Sequence, residues 1–402
     1  MINQVLQKLE HNTKSNLIKK DIINYFLNNG HSTIAEISKD LGLSVPTITK
    51  QINSMTEDSL IADYGKFQTA EGRHPNIFGL NSEAAYFIGV DMAHRNLNIA
   101  LMDFGGHLVR SEMNIQYLYE NTNEKLDELC AHVLNFINEL PADIQKKIVK
   151  VNLNIPGRVN PKSGYSYIIF YLSDVPLSKV MSEKLQYSVG VDNDTRAMAY
   201  GEYIQGVQGK AKDVIFINMS WGLGIGIIID GKPFYGKSGF SGEFGHFPAF
   251  DNEIICPCGK KGCIETEASG RAIHGMVLER IKRGESSLIT TLVDDLEKIT
   301  LSDIICAVKQ EDTMCIEIVE EVGAKLGRYV AGLINIFNPE LLVIGGQMAE
   351  TGPFLMLPIK GAIQKFSLNL VNKDSEIVLS KLKDKAGVYG ACLLARNNFI
   401  KK

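Results

Sequence analysis

The sequence predicts an α/β protein: a small winged helical domain followed by two α/β lobes. Three observations carry this. Short amphipathic helical periods occupy the region before residue 60, and two strand-turn-strand stretches rich in Val and Ile begin near residues 86 and 214. The third is a set of one His and three Cys gathered within residues 246–263. With 402 residues the chain exceeds what a single core serves, so two or three folding units are expected. A net charge of −4 gives no global attraction to nucleic acid or membrane, so any such partner must be met by a local surface.

From Lys14 to Leu27 the residues Leu17, Ile18, Ile22, Ile23 and Phe26 recur at helical spacing, and Asn28-Asn29-Gly30 ends the run. Thr33 with Glu36 forms a capping box that opens a second short helix, with Ile34, Ile37 and Leu41 on one stripe up to Gly42. Ser44 caps a third helix with Pro46 in its first turn. There Val45, Ile48, Ile52 and Met55 are expected inward and Thr47, Thr49, Lys50, Gln51 and Asn53 outward. Helix, helix, turn and polar-faced helix is the helix-turn-helix plan. Residues 60–65 and 76–80 read as two strands of a wing, joined by a loop with Gly72, Arg73 and His74. Thr47, Thr49, Lys50 and Gln51 are the expected groove contacts, and Arg73 is the expected contact to phosphate or minor groove. Within residues 1–80 the eight Lys and Arg are matched by eight Asp and Glu, so operator binding would need its cations sorted onto one face and doubled by dimerisation.

The texture changes at Tyr86. A strand over 86–91 turns into an antiparallel strand over 97–103, a helix is expected over 123–140, and a strand over 148–155 leads into Pro156-Gly157. Val189–Asp194 ends a strand in Asp192-Asn193-Asp194 before a helix over 195–205, a usual place for ligand-binding side chains in an α/β sheet. A second hairpin follows at 214–231, then a helical region over 301–336 and a strand over 341–346 with a Gly-Gly exit. Two such sets suggest two lobes.

His246, Cys256, Cys258 and Cys263 can close a tetrahedral zinc site, since thiolates and imidazole are zinc ligands and Pro257, Gly259 and Gly262 allow the tight turn required. Four protein ligands leave no position for water, so the zinc is expected to be structural. Glu243 lies three residues before His246, and Glu265 two after Cys263, so the knot positions acids. Acids with an Asn-Asp pair suit the paired hydroxyls of a polyol, and an imidazole bound to metal through one nitrogen can hydrogen-bond through the other. Cys130, Cys306, Cys315 and Cys392 are scattered singly, as in a reduced cytoplasmic protein. The N-terminus has no secretory pattern, no stretch reaches membrane-spanning length and no membrane partner is expected.

Gly242-Glu243-Phe244-Gly245-His246 and Cys256-Pro-Cys-Gly-Lys-Lys-Gly-Cys263-Ile-Glu265, with Asp192-Asn193-Asp194, resemble the signatures of the ROK family, which holds bacterial sugar kinases and sugar-responsive repressors. The winged N-terminus is similar to its repressor branch, of xylose-repressor type. The resemblance implies the actin-like ATPase (ribonuclease H-like, sugar kinase) fold, assembled as a homodimer or homotetramer. It implies that Asn193, Asp194, Glu243, His246 and Glu265 hold sugar hydroxyls, with Asp194 the catalytic base if kinase activity is retained. The expected division is 1–80 for DNA binding, 81–195 plus 382–402 for the first lobe, and 196–381 for the second, with the zinc site and an oligomerisation surface. Kinases of the family carry Asp-x-Gly-Gly-Thr in the first hairpin; this chain has Asp91-Met92-Ala93-His94-Arg95-Asn96, whose side chains should obstruct the ATP phosphate cradle. The expectation is therefore a cytoplasmic, sugar-responsive repressor whose partners are operator DNA and a monosaccharide or sugar-phosphate effector. An active sugar kinase using ATP and Mg, with an appended DNA-binding domain, is the alternative. A sugar-binding scaffold whose helical domain docks protein is the third reading.

Overall fold

The computed structural model describes residues 13–66 and 75–400. The chain divides into two compact units. One takes the chain up to Ile155, Ser163–Asp192 and the residues from Ala391; the other takes Pro156–Lys162 and Asn193–Gly390.

The first unit opens with α1 (Lys14–Asn29), capped by Thr13, whose hydroxyl accepts the Asn16 amide, and ended at Gly30. The two-residue strand β1 (Ser32–Thr33) and α2 (Ile34–Leu41) follow. The capping box is present, with the Glu36 amide donating to Thr33 Oγ1 at 3.3 Å and the Thr33 amide to Glu36 Oε2 at 2.8 Å. Gly42 takes the left-handed conformation (φ 64°) that ends α2, a geometry glycine adopts without strain. α3 (Val45–Glu57) starts on Ser44 with Pro46 in its first turn. The wing strands β2 (Ile61–Lys66) and β3 (Asn76–Leu80) pair antiparallel, and β1 adds to β3. With only two residues, β1 has no periodicity to betray it.

Ile22, Ile37, Ile48, Ile52, Met55 and Leu60 form the core of this domain, and Phe87, Phe104 and Ala395 belong to the same cluster. Packing is therefore continuous across the expected cut at residue 80. Beyond it lie β4 (Tyr86–Met92), β5 (Asn96–Asp103), β6 (Leu108–Gln116), α4 (Asn123–Asn138), β7 (Ile148–Ile155), α5 (Leu177–Leu185) and β8 (Val189–Asn193). The sheet order is β8-β7-β4-β5-β6, with β4 antiparallel to β5 and parallel to β7. β6 escaped the sequence reading because Arg110, Ser111, Glu112 and Asn114 break up Leu108, Val109, Met113 and Ile115 without a regular alternation.

The second unit starts at α6 (Asp194–Gly201), which runs on into a π-helical turn over Glu202–Gly206. Its sheet contains β9 (Val214–Met219), β10 (Leu223–Ile229), β11 (Lys232–Pro233), β12 (Leu341–Gly345) and β13 (Glu376–Leu379), in the order β11-β10-β9-β12-β13. Its longer helices are α7 (Gly270–Lys282), α8 (Leu301–Lys309), α9 (Thr313–Phe337) and α10 (Pro353–Phe366), and α11 (Ala386–Ile400) begins here but belongs to the first unit from Ala391 on. The expected helical region over 301–336 is two helices, since Asp312 leaves the first and caps the second by accepting the Cys315 amide at 2.8 Å.

The compact unit also begins earlier and ends later than the expected 196–381. Asn193 goes with α6 because it caps that helix. Residues 382–390 stay because the buried Glu202 carboxylate accepts from Ser380 Oγ, the Lys381 amide and the Leu382 amide. Gly390 seals the contact, as a side chain there would meet the Ala197 carbonyl at 1.9 Å.

Candidate functional site

The Cys/His loop brings its four donors together. His246, Cys256, Cys258 and Cys263 each offer a ligand atom, and these atoms lie within 4.8 Å of one another. His246 Nδ1 is 3.4 Å from Cys256 Sγ, and Cys258 Sγ is 3.6 Å from Cys263 Sγ. The turn is set by the Cys256 amide donating to the Lys260 carbonyl and the Gly259 amide to the Cys256 carbonyl, both at 2.8 Å. Gly262 is required, since its φ is 74° and a Cβ would strike the Phe250 carbonyl at 2.2 Å. Burial holds the Cys256 thiol up at about 12. Against burial, the Lys260 amide and the neighbouring thiols draw Cys258 below its ordinary range. Three sulfurs and an imidazole, packed this closely and with two of the cysteines buried, form a donor set suited to a metal ion.

The other nitrogen of His246, Nε2, is 3.7 Å from Glu243 Oε2, and that same oxygen is 3.6 Å from Arg158 Nε. Glu265 is tied more firmly: Oε2 accepts the Leu223 amide at 3.1 Å, while Oε1 lies 3.8 Å from Cys256 Sγ and 3.5 Å from Arg271 Nη2. Asn193 is a helix cap, with Oδ1 accepting the Arg196 amide at 3.0 Å and Nδ2 donating to the Gly157 carbonyl at 3.1 Å and to Asp194 Oδ1 at 2.9 Å. Burial lifts the Asp194 carboxyl to about 6; the Thr195 amide pulls it down and the charge of Glu243 pushes it up. The five expected sugar contacts all fall within the second unit: Glu243 and Glu265 reach the Cys/His loop that holds His246, while Asn193 and Asp194 stand at the start of α6.

Arg158, Arg271 and Trp221 were not foreseen. A single Arg beside a Gly carries no spacing signature, and neither does a lone Trp in a hairpin turn. Trp221 sits with Ser220 and Gly222 between β9 and β10, its ring 5.3 Å from that of His274 on α7. A Cβ on Gly222 would meet Glu265 Oε2 at 2.9 Å, so the indole is one residue from a site carboxylate. In the first hairpin Asp91 and Met92 end β4, and the turn over Ala93–Arg95 is closed by the Ala93 amide donating to the Asn96 carbonyl at 2.9 Å.

On α3, Lys50 is exposed and Thr47 and Thr49 are half-buried, with Thr49 Oγ1 bonded back to the Val45 carbonyl at 2.8 Å. Two orientations differ from expectation. Gln51 is only 7% exposed and accepts from Ser15 Oγ at 3.1 Å, because it borders the buried Ile48 and Ile52 and packs toward α1. Val45 is 51% exposed, since the first residue of the helix overhangs the core that its partners three and seven residues on enter. Arg73, with Gly72 and His74, lies outside the described residues.

A winged helix-turn-helix joined to a two-lobed, sugar-kinase-like α/β fold defines a DNA-binding regulator built on a kinase scaffold. The chain belongs to the ROK family, whose model matches residues 87–398; a second model, of winged helix-turn-helix DNA-binding domains, matches residues 15–62. It is 29% identical to a xylose repressor of Caldicellulosiruptor bescii over 97% of this chain and 98% of that one. It is 27% identical to the DNA-binding transcriptional dual regulator NagC of Escherichia coli over 90% and 88%. Among solved structures it resembles a ROK family transcriptional regulator, a homologue of the E. coli MLC protein, with a TM-score of 0.79 and 26% identity over 95% of this chain and 97% of that one. A ROK family glucokinase from Streptomyces griseus in complex with glucose and AMPPNP follows at a TM-score of 0.70, with 26% identity over 78% and 100%.

Proposed function

We propose that the protein is a sugar-responsive DNA-binding repressor whose kinase-like domain binds a monosaccharide or sugar phosphate. The observation that carries this is the gathering of Glu243, His246 and Glu265 at one Cys/His loop, with Asp194 near enough to feel the charge of Glu243, in a chain that also bears a helix-turn-helix. The xylose repressor and the transcriptional dual regulator that it resembles along most of their length support the reading. Asp194, Glu243 and Glu265 accept hydrogen bonds from sugar hydroxyls, and His246 Nε2–H donates to one. Asn193, spent on its cap, positions Asp194. Zinc is the ion this donor set suits; held by His246, Cys256, Cys258 and Cys263, it supplies structural cross-linking and fixes the imidazole. Lys50, with Thr47 and Thr49, meets the operator, and a homodimer or homotetramer presents two such helices. By linkage, the sugar must bind the off-DNA state more tightly than the DNA-bound one.

The test is a thermal-shift panel of D-xylose, D-glucose, N-acetylglucosamine and their phosphates, with and without ATP and Mg, followed by gel shifts on the promoter DNA upstream of the protein's own gene. The expected outcome is one sugar that raises the melting temperature and releases DNA, with no added effect of nucleotide. Strong stabilisation by ATP together with phosphate release would favour instead the kinase reading, which the likeness to the glucokinase keeps in view.

A further inference from the structure

The sugar-site segments of the second unit share one buried cation. Arg196 lies in the first turn of α6, two residues after Asp194, and is only 3% exposed. Its Nη1 donates to the Gly239 carbonyl at 3.0 Å, and its guanidinium carbon stands 4.6 Å over the ring of Tyr235. Its own amide donates to Asn193 Oδ1. Gly239 cannot retreat: φ is 84°, and a Cβ would meet both the Val159 carbonyl and Pro161 Cδ at 2.7 Å. The loop from Tyr235 to Gly242 is thus clamped between Arg196 on one side and Val159–Pro161 on the other. It delivers Glu243, whose carboxylate is the one that meets Arg158 and His246.

We infer that Arg196 is a positioning residue for the effector site: it fixes the Tyr235–Gly242 loop to the helix that carries Asp194, and so sets where Glu243 stands relative to Asp194. This rests on the proposed sugar-binding role of the site. A guanidinium suits the task where an ammonium does not, because its planar face stacks on an aromatic ring while its edge donates in a fixed direction. The sugar would then meet two carboxylates whose separation is held by Arg196, a residue that need not touch it.

The test compares wild type, Arg196→Lys and Arg196→Ala, using D-xylose titrations followed by Trp221 emission, with D-glucose or N-acetylglucosamine as probe if wild type responds to those. Both variants should bind the sugar at least roughly tenfold more weakly while keeping the metal content of wild type, and added methylguanidinium should restore part of the Arg196→Ala loss. A loss that came from general destabilisation would instead lower the melting temperature and spread faster exchange over the whole unit. Hydrogen exchange gives a readout independent of any sugar: amides of residues 235–243 should exchange faster in Arg196→Ala while the β9–β10 hairpin is unchanged. Should Arg196→Ala fail to fold, Tyr235→Leu, which removes only the stacked ring, should show the same two effects more weakly. Sugar affinity within about twofold of wild type, or exchange over 235–243 that does not change, overturns the inference. A wild type that binds no sugar, yet shows faster loop exchange in the variant, defeats the functional reading and leaves the clamp standing.

Discussion

Asp194 gives the site a pH dependence of known sign. Its carboxyl is lifted by burial from 3.8 to about 6, so the folded protein holds that proton more tightly than the unfolded chain does. Stability attributable to this group is fully present below the unfolded value and is lost as pH rises from about 4 toward 6. Sugar binding runs the other way, because the ionised carboxylate is the better acceptor of a hydroxyl hydrogen bond. Affinity for the effector should therefore fall several-fold between pH 7.5 and pH 5 in Trp221 emission titrations. In Asp194→Asn it should be weaker by roughly tenfold at pH 7.5, the loss of about one charge-assisted hydrogen bond, and insensitive to pH. Wild-type affinity that is flat across this range would remove Asp194 from the binding site. The Cys/His set was legible in the sequence because its chemistry is tied to spacing, and Glu243 and Glu265 could be placed beside it from their positions alone. Arg158, Arg196 and Arg271 were not, since nothing in the order of residues says which carbonyl or carboxylate a long flexible side chain will find.

Among the elements, the helices announced themselves through caps: Thr33 with Glu36, Ser44 with Pro46, and Gly30 and Gly42 at the ends. Periodicity placed most of the α3 stripe, but it could not place Gln51 or Val45, because rim positions are decided by the neighbouring element rather than by the helix itself. The distinction can be measured. Lys50→Glu should abolish gel-shift binding to operator DNA with little change in melting temperature. Gln51→Glu should destabilise the fold instead, since a charge would then be buried against α1. Ile52→Ala should cost about 2–5 kcal/mol, the usual range for truncating a buried Ile, read by chemical denaturation. In the Cys/His loop, Cys258→Ser should lose stoichiometric zinc by metal analysis and weaken sugar binding, because His246 is no longer tethered. A freshly purified wild type without zinc would refute the metal assignment.

At the scale of the whole molecule, the sequence marked a change of texture near Tyr86 and set an expected domain boundary at residue 80. The core runs across that boundary: Phe87, Phe104 and Ala395 close the same cluster as Ile22, Ile48 and Ile52. Composition and periodicity locate where elements change but carry no record of contacts made by residues 300 positions away. A fragment ending at residue 80 should accordingly show little helical dichroism and no cooperative melting, whereas the full chain should melt with the winged helix inside the same transition as the first unit. For anyone hoping to rewire promoter choice by exchanging reading heads between regulators of this kind, the seam is misplaced at the wing. A transplanted head would land on a foreign floor unless Phe87, Phe104 and the stretch of α11 around Ala395 were rebuilt to receive it.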